Sequence, residues 1–262
     1  METGTPPMAE QPPRSDPIGD RFFEPLVKAD KVSDILFYVA GILSLLALVV
    51  EQGSRPQLYS LVQIGFVVVV VALFAVTLAV RLYFSPRAQQ RRYSDFLSHA
   101  FDRPLSFQQT TGYYNNSAQN GWRRIAAQVL ENSFYTGDTL AQMCTAERIR
   151  VALYFVVWFV VALNRTTNLA TIGVAAQILF SEQIVSRWFR IEWLRRECET
   201  IYGELFRLIQ GKGLTEVLAL EALGRYEISK ATAALVLSSK IFARRSPVTD
   251  ADWAKTRATL GL

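Results

Sequence analysis

Between Gly112 and Gly137 the chain reads GYYNNSAQNGWRRIAAQVLENSFYTG. Within a dozen residues stand Tyr113, Tyr114, Asn115, Asn116, Trp122, Arg123 and Arg124. Flat rings stack on bases, amides read base edges, and guanidinium groups hold phosphate. All seven are therefore candidate ligand-binding residues. The same residues have a plainer reading. Tyr113, Trp122 and Phe134 can form the core of a small helical domain, and packing is the favoured role for Trp122 and Phe134. Asn115 can cap a helix, and a pair of amides is a common turn signal. Arg123 and Arg124 can touch anionic lipid headgroups.

Catalysis lacks its usual parts. His99 is the single histidine, which removes most zinc sites and nucleophile–histidine pairs. No Gly-rich phosphate loop is present. Cys144 and Cys198 are too few for a Cys-rich metal site, and a cytosolic setting keeps them reduced. Asp95 and Asp102 lie near His99 on one helical face and read as solvated charges. No enzyme activity, metal or cofactor is expected.

The elements that must position these side chains are very apolar. Ile35 to Val50 and Leu61 to Val80 contain no charge, and the second includes the run Val67 to Val71. A membrane span needs about 20 apolar residues. Residues 33–84 thus read as a first transmembrane hairpin. Val151 to Leu163 and Leu169 to Phe180 are shorter, and Asn164-Arg165-Thr166-Thr167-Asn168 separates them. Residues 148–183 read as a second hairpin, with a re-entrant or interfacial hairpin as the alternative.

Basic residues set the orientation. Each tight turn holds one, Arg55 or Arg165, while the central segment from Ser85 to Arg150 holds Arg87, Arg91, Arg92, Arg103, Arg123, Arg124, Arg148 and Arg150. Both turns face outward, and the two termini and the central segment face the cytosol. After the fourth segment thirteen basic side chains outnumber nine acidic ones. No signal peptide is read in the polar, proline-rich start, and residues 1–20 are expected to be disordered.

The polar parts carry helical periodicity. Arg81 to Phe101 reads as a helix leaving the second span, ended by Pro104. Trp122, Ile125, Ala126, Val129 and Leu130 restart it, and Asn132-Ser133 is expected to interrupt it. Thr136 or Asp138 would cap a further helix into the third span. Beyond the fourth span a straight helix is expected to about Gln210, ended by Gly211-Lys212-Gly213. Two more helices follow to Arg245, and Pro247 is expected to start a final segment. The fold class is an all-α integral membrane protein. It has a helical cytosolic insert over 85–147 between the two hairpins and a helical cytosolic C-terminal region over 184–262.

Within the fourth apolar segment Ala170, Gly173, Gln177 and Ser181 recur at roughly helical spacing. Small and polar stripes let helices approach closely and let amides bond across the contact. Packing within one subunit is the favoured reading. The sharper one makes Gly173, Gln177, Ser181 and Glu182 pore-lining at a subunit seam, with Glu182 at the cytosolic mouth. Four short spans enclose little space alone, so a pore requires a homo-oligomer.

The order of parts, with SDFLSHAFDRPLSFQQTTGYYNN and ENSFYTGDTLAQM in the insert, resembles the SMODS-associated four-transmembrane pore-forming effectors of bacterial antiphage systems. The resemblance covers most of Arg21 to Trp253. The N-terminal stretch departs from the family's opening, and the tail matches only around Arg225-Tyr226 and the later helices. The resemblance implies a bacterial inner-membrane protein that binds a cyclic di- or oligonucleotide in its cytosolic part, not a DNA or RNA polymer. The membrane part would then permeabilise the lipid bilayer and arrest the infected cell. A membrane adaptor that recruits a protein partner without forming a pore is the rival. A small transporter ranks third, because few polar residues lie near the middle of the first two spans.

Overall fold

The computed structural model describes residues 15–50, 53–114, 116, 118–163 and 169–262, the side chains of Ala170 and Glu182 excepted. The regular elements among them are helices. A π-helical turn, Gly19–Phe23, leads into α1 (Glu24–Val49), whose first turn holds Pro25, and α2 (Pro56–Ala79) likewise begins on proline. Proline suits that position, because its missing N–H would have no helical partner there. A second π-helical turn, Val80–Phe84, carries α2 into α3 (Ser85–Phe101). Gly19–Val49 and Pro56–Phe101 are thus two helical columns long and apolar enough to cross a membrane.

α3 stops where Asp102 takes a left-handed conformation (φ 49°) just before Pro104. α4 (Trp122–Leu163) then runs unbroken through the second half of the central segment and the third apolar stretch. The expected interruption at Asn132-Ser133 is absent. Ser133 is buried and its hydroxyl donates to the Leu130 carbonyl, so the polar side chain is satisfied inside the helix. Thr136 and Asp138 do not cap a new helix either. They face later helices, Thr136 bonding the Tyr226 hydroxyl at 3.0 Å and Asp138 pairing with Arg245 at 2.7 Å.

The fourth apolar segment is α5 (Leu169–Leu179). It does not run straight on to Gln210 as expected. Ser181 is extended (ψ 163°), and a third π-helical turn, Glu182–Ser186, starts α6 (Arg187–Gln210) in a new direction. The Gly211-Lys212-Gly213 turn ends α6 as expected. α7 (Glu216–Ala233) is capped by Thr215 and α8 (Ser239–Leu260) by Ser238, each accepting a backbone N–H. Pro247 lies inside α8 instead of starting a segment. Arg245 and Thr249 flank it and both bind Asp138, which holds the helix together across the missing N–H.

Residues 85–147 and 184–262, read from the sequence as the insert and the C-terminal region, contribute to one core, with Phe96, Ile125, Val129 and Leu140 packed together with Ile191, Leu194, Leu223 and Trp253. Phe134 belongs to its edge, its ring 5.7 Å from that of Trp253 and 5.4 Å from that of Tyr202. Of the N-terminal stretch expected to be disordered, residues 1–14 lie outside the described residues. Ser15 and Asp16 are built into the fold. Ser15 exchanges two backbone hydrogen bonds with Thr111, and Asp16 pairs with Arg92 at 2.7 Å.

A smaller core of Phe37, Val151, Leu179 and Ile184 joins the apolar helices near their polar ends. Beyond it these helices turn large apolar side chains outward, among them Ile42, Leu61, Val68, Phe74, Val156 and Val160. Two contacts set the register of the hairpins. Arg150 on α4 donates to the Tyr38 hydroxyl on α1, and Gly41 on α1 faces Ile178 on α5. From Gly41, α1 runs eight residues further to Val49; from Ile178, α5 runs nine back to Leu169. Both amount to about 12–14 Å of helix, so α1 and α5 extend about equally far beyond this contact.

A layer of ion pairs separates the apolar helices from the main core. Arg187 reaches Asp34 at 3.3 Å and Glu147 at 3.6 Å, and Glu147 also pairs with Arg150 at 3.3 Å. Glu192 accepts from Arg195 at 3.0 Å and from Arg148 at 2.7 Å. Those hydrogen bonds, Arg195 first, hold its carboxyl down at about 2 against an ordinary 4.5. A depressed carboxylate stabilises the fold above its unfolded value, and the contribution is lost as pH falls towards the folded value. Between pH 4.5 and about 2 the α4–α6 contact should therefore weaken. Melting of detergent-solubilised protein across that window should decline with pH, and Glu192→Gln should flatten the decline. Equal slopes in both proteins would remove Glu192 as the cause.

Both cysteines are free and buried in the main core. Burial pushes Cys144 up to about 11, helped by its hydrogen bond to Glu192, and burial pushes Cys198 up to about 12. The thiolate is the nucleophile. Iodoacetamide at pH 8 should label the folded protein at least about a hundredfold more slowly than the denatured one. Rapid labelling of the native form would show that this core opens readily.

Candidate functional site

α3 is the wall on which the candidate ligand segment is built. Arg92, Asp95, Phe96 and His99 share one of its faces, at helical spacings of three, four and seven. Asp95, read from sequence as a solvated charge, is fully buried. It accepts the Thr110 N–H at 3.0 Å and the Thr110 hydroxyl at 2.7 Å. His99 Nε2 donates to the Thr110 carbonyl at 2.9 Å. Together they fasten the stretch before Gly112, whose φ of 62° turns the chain toward the tyrosines.

Tyr113 lies under Arg92, whose guanidinium carbon is 4.4 Å from the ring centre. Tyr114 meets Tyr113 edge-on at 5.0 Å, His99 at 5.0 Å and Phe96 at 5.9 Å. Burial raises its phenol well above the ordinary tyrosine value, and its hydroxyl has no hydrogen-bond partner among the described residues. Asn116 donates to Glu131 at 3.4 Å, and Glu131 is itself buried on α4. The Asn116 carbonyl oxygen and the Gln128 amide oxygen are also buried without a partner among the described residues. Buried polar atoms are nearly always paired, and unpartnered ones also occur elsewhere in the fold, at Trp188 and Trp253 among others. Asn115 lies outside the described residues.

The remaining candidates stand apart from the tyrosines. Trp122 packs against the main core. Arg123 is exposed, stacks over the Trp122 ring at 4.9 Å and donates to Gln119 at 2.8 Å. Arg124 is committed to the turn after α3. It donates to the carbonyls of His99 at 2.9 Å and Ala118 at 3.0 Å and pairs with Asp102 at 3.0 Å. The cation beside the tyrosines is therefore Arg92, which the sequence reading of this segment passed over. Its signal was the spacing to Asp95 and His99 on α3.

In the second candidate set, Gly173 and Gln177 are exposed on the outer side of α5, and a Cβ at Gly173 would meet nothing within 4 Å. That surface faces away from the chain's own helices. Ser181 forms the extended break after α5, and its hydroxyl is buried without a partner among the described residues. The Glu182 side chain lies outside the described residues.

Comparison with family models, curated proteins and solved structures finds no match to this chain.

Proposed function

We propose that this chain is a multi-pass inner-membrane protein that assembles as a homo-oligomer and opens a pore when its cytosolic body binds a cyclic di- or oligonucleotide. The observation that carries the reading is Gln177. Its amide is exposed beside the open surface of Gly173 on an apolar helix. An unpaired amide in hydrocarbon is costly, and small residues beside it favour a second helix there. A second copy, or water in a pore between copies, meets both needs.

The equal reach of α1 and α5 beyond their contact supports four spans. If α1 and α2 cross, α5 reaches as far as α1, and the ion-pair layer around Arg187 lies at the cytosolic boundary. The outward apolar side chains then face lipid. Sensing fits the polar region between α3 and α4, where Arg92 lies over Tyr113, Tyr114 meets Tyr113 edge-on and Asn116 reaches Glu131. The link to antiphage defence rests on the resemblance of the insert motifs alone.

The test is dye release from liposomes holding the purified chain, with a panel of cyclic di- and trinucleotides of adenine and guanine. One nucleotide should trigger release. Arg92→Ala should raise the nucleotide concentration needed by about tenfold, the loss of one charge-assisted contact, whereas Arg123→Ala should leave it unchanged. Gln177→Leu should abolish release without abolishing binding. Binding with no release from correctly inserted protein would sink the pore.

The adaptor remains a second reading because of α7. Val217, Leu220 and Ile228 are exposed along one of its faces, which suits a protein partner. It predicts a stable soluble complex and no leakage.

A further inference from the structure

A groove of about 400 Å³ opens at the base of the first hairpin, between the π-helical turns Gly19–Phe23 and Val80–Phe84. Arg21, Arg87 and Arg91 line it together with Phe22, Phe84 and Phe107. Among the described residues no carboxylate lines it. The three arginines have no ion pair among the described residues; their partners there are aromatic residues, and Arg87 also donates a hydrogen bond to the Tyr83 hydroxyl. Arg21 and Arg91 lie 5.9 and 5.7 Å from the Phe22 ring centre, and Arg87 lies 4.6 Å from that of Tyr83. The adjacent Arg92, by contrast, is bound to Asp16. Three uncompensated guanidinium groups around one groove make a site for a phosphate.

The position of the groove narrows the source. It sits where the outward apolar surface of α2 ends, at Leu78, Leu82 and Tyr83, and the polar helix α3 begins. Phe107 on its rim is fully exposed. Aromatic rings and arginines gather at the headgroup level of membrane proteins, where anionic lipid attracts basic side chains. A phenylalanine with no protein cover next to three arginines that lack an ion pair among the described residues fits a lipid whose acyl chains contact the ring and whose phosphate meets the cations.

We propose that this groove binds the headgroup of an anionic phospholipid, and that the lipid thereby clamps the two π-helical turns together. The proposal rests on the membrane placement argued above. Because α2 passes straight into α3 through Val80–Phe84, the site lies at the joint between the first hairpin and the sensing wall. π-Helical turns are recurrent sites of functional adjustment within helices. Lipid composition would then bias that joint.

The experiment uses the full chain in mild detergent, with lipid retention followed by native mass spectrometry. Phosphatidylglycerol and phosphatidylcholine of equal chain length are the probes. Wild type should retain phosphatidylglycerol at least about tenfold over phosphatidylcholine, as expected for three surface cations near one phosphate. The triple variant Arg21→Gln/Arg87→Gln/Arg91→Gln should lose that preference, while Arg123→Gln keeps it. If the triple variant fails to fold, each single substitution should lower the preference about twofold or more. Equal retention of the two lipids by wild type, or an unchanged preference in the variants, overturns the site. Displacement of phosphatidylglycerol by cyclic di-GMP or inorganic phosphate overturns the lipid and leaves a soluble phosphate ligand in its place. Alkaline carbonate extraction of the same protein from membranes separates the two failures. A chain that washes out removes the membrane reading, whereas an integral chain without lipid preference removes only the groove.

Discussion

Asp95→Ala is expected to cost about 3 kcal/mol and to release the loop that carries Tyr113 and Tyr114. The carboxylate is fully buried and both of its oxygens accept from Thr110, at 3.0 Å and 2.7 Å. Alanine leaves the Thr110 N–H and hydroxyl buried without acceptors and removes the anion 3.7 Å from His99. Thr111 next in line holds Ser15 through two hydrogen bonds of 3.0 Å, so the N-terminal bridge should go with the loop. Cleavage between Asp102 and Gly121 by a low-specificity protease should accelerate strongly, and the melting temperature should fall by roughly 6–12 °C. Asp95→Asn keeps one acceptor for the Thr110 N–H and should lose about 1 kcal/mol. An unchanged melt and cleavage pattern in Asp95→Ala would mean that this buried carboxylate does not fasten the loop. If this region senses a nucleotide as proposed, binding should fall in the alanine variant even where the core survives, because Tyr113 and Tyr114 would no longer be held beside Arg92.

Helix ends governed by local rules were legible in the sequence. Phe101 before Pro104, Trp122 at the return of helical spacing, and Gln210 before the Gly-Lys-Gly turn all follow from backbone chemistry within a few residues. The two long apolar helices followed from uncharged length. What was not legible depended on partners far along the chain. Asn132-Ser133 looks like a break, but long-range packing of α4 on α6 overrides weak local propensity. Pro247 looks like a start, but Asp138, more than a hundred residues earlier, ties Arg245 and Thr249 around it. The break at Ser181 has no sequence signal stronger than a serine between apolar runs. The candidate site divides in the same way. Tyr113, Tyr114 and Asn116 do gather in one place, while Arg123 and Arg124, adjacent to them in sequence, are directed elsewhere by one turn of α4. Arg92 reaches the tyrosines from another helix, and such convergence is not written in spacing alone.

If the chain is the ligand-gated pore proposed above, Ala146→Pro is expected to uncouple sensing from opening. α4 is continuous from Trp122 to Leu163, and its two halves sit in different surroundings. Ile125 to Cys144 is packed into the main core, while Ile149 to Leu163 turns many of its apolar side chains outward. Ala146 is exposed at the junction, next to Glu147 in the ion-pair layer. Proline there removes the hydrogen bond to the Gln142 carbonyl, kinks the helix and costs about 3 kcal/mol. Ala146→Gly costs about 1 kcal/mol and loosens the same point without a steric clash. A stiff helix transmits a tilt of the core to the hairpin; a kinked one absorbs it. A ligand opens a pore only by its difference in affinity for the two states, so loss of transmission removes opening without removing binding. In liposomes the proline variant should bind the activating nucleotide within about threefold of wild type and release dye at least tenfold less, a loss of about 1.4 kcal/mol in coupling. The glycine variant should fall between. Binding lost together with release would place Ala146 in the stability of the sensor itself. Release retained in both variants would mean that α4 does not carry the signal, and would move the transmitting element to the α2–α3 column.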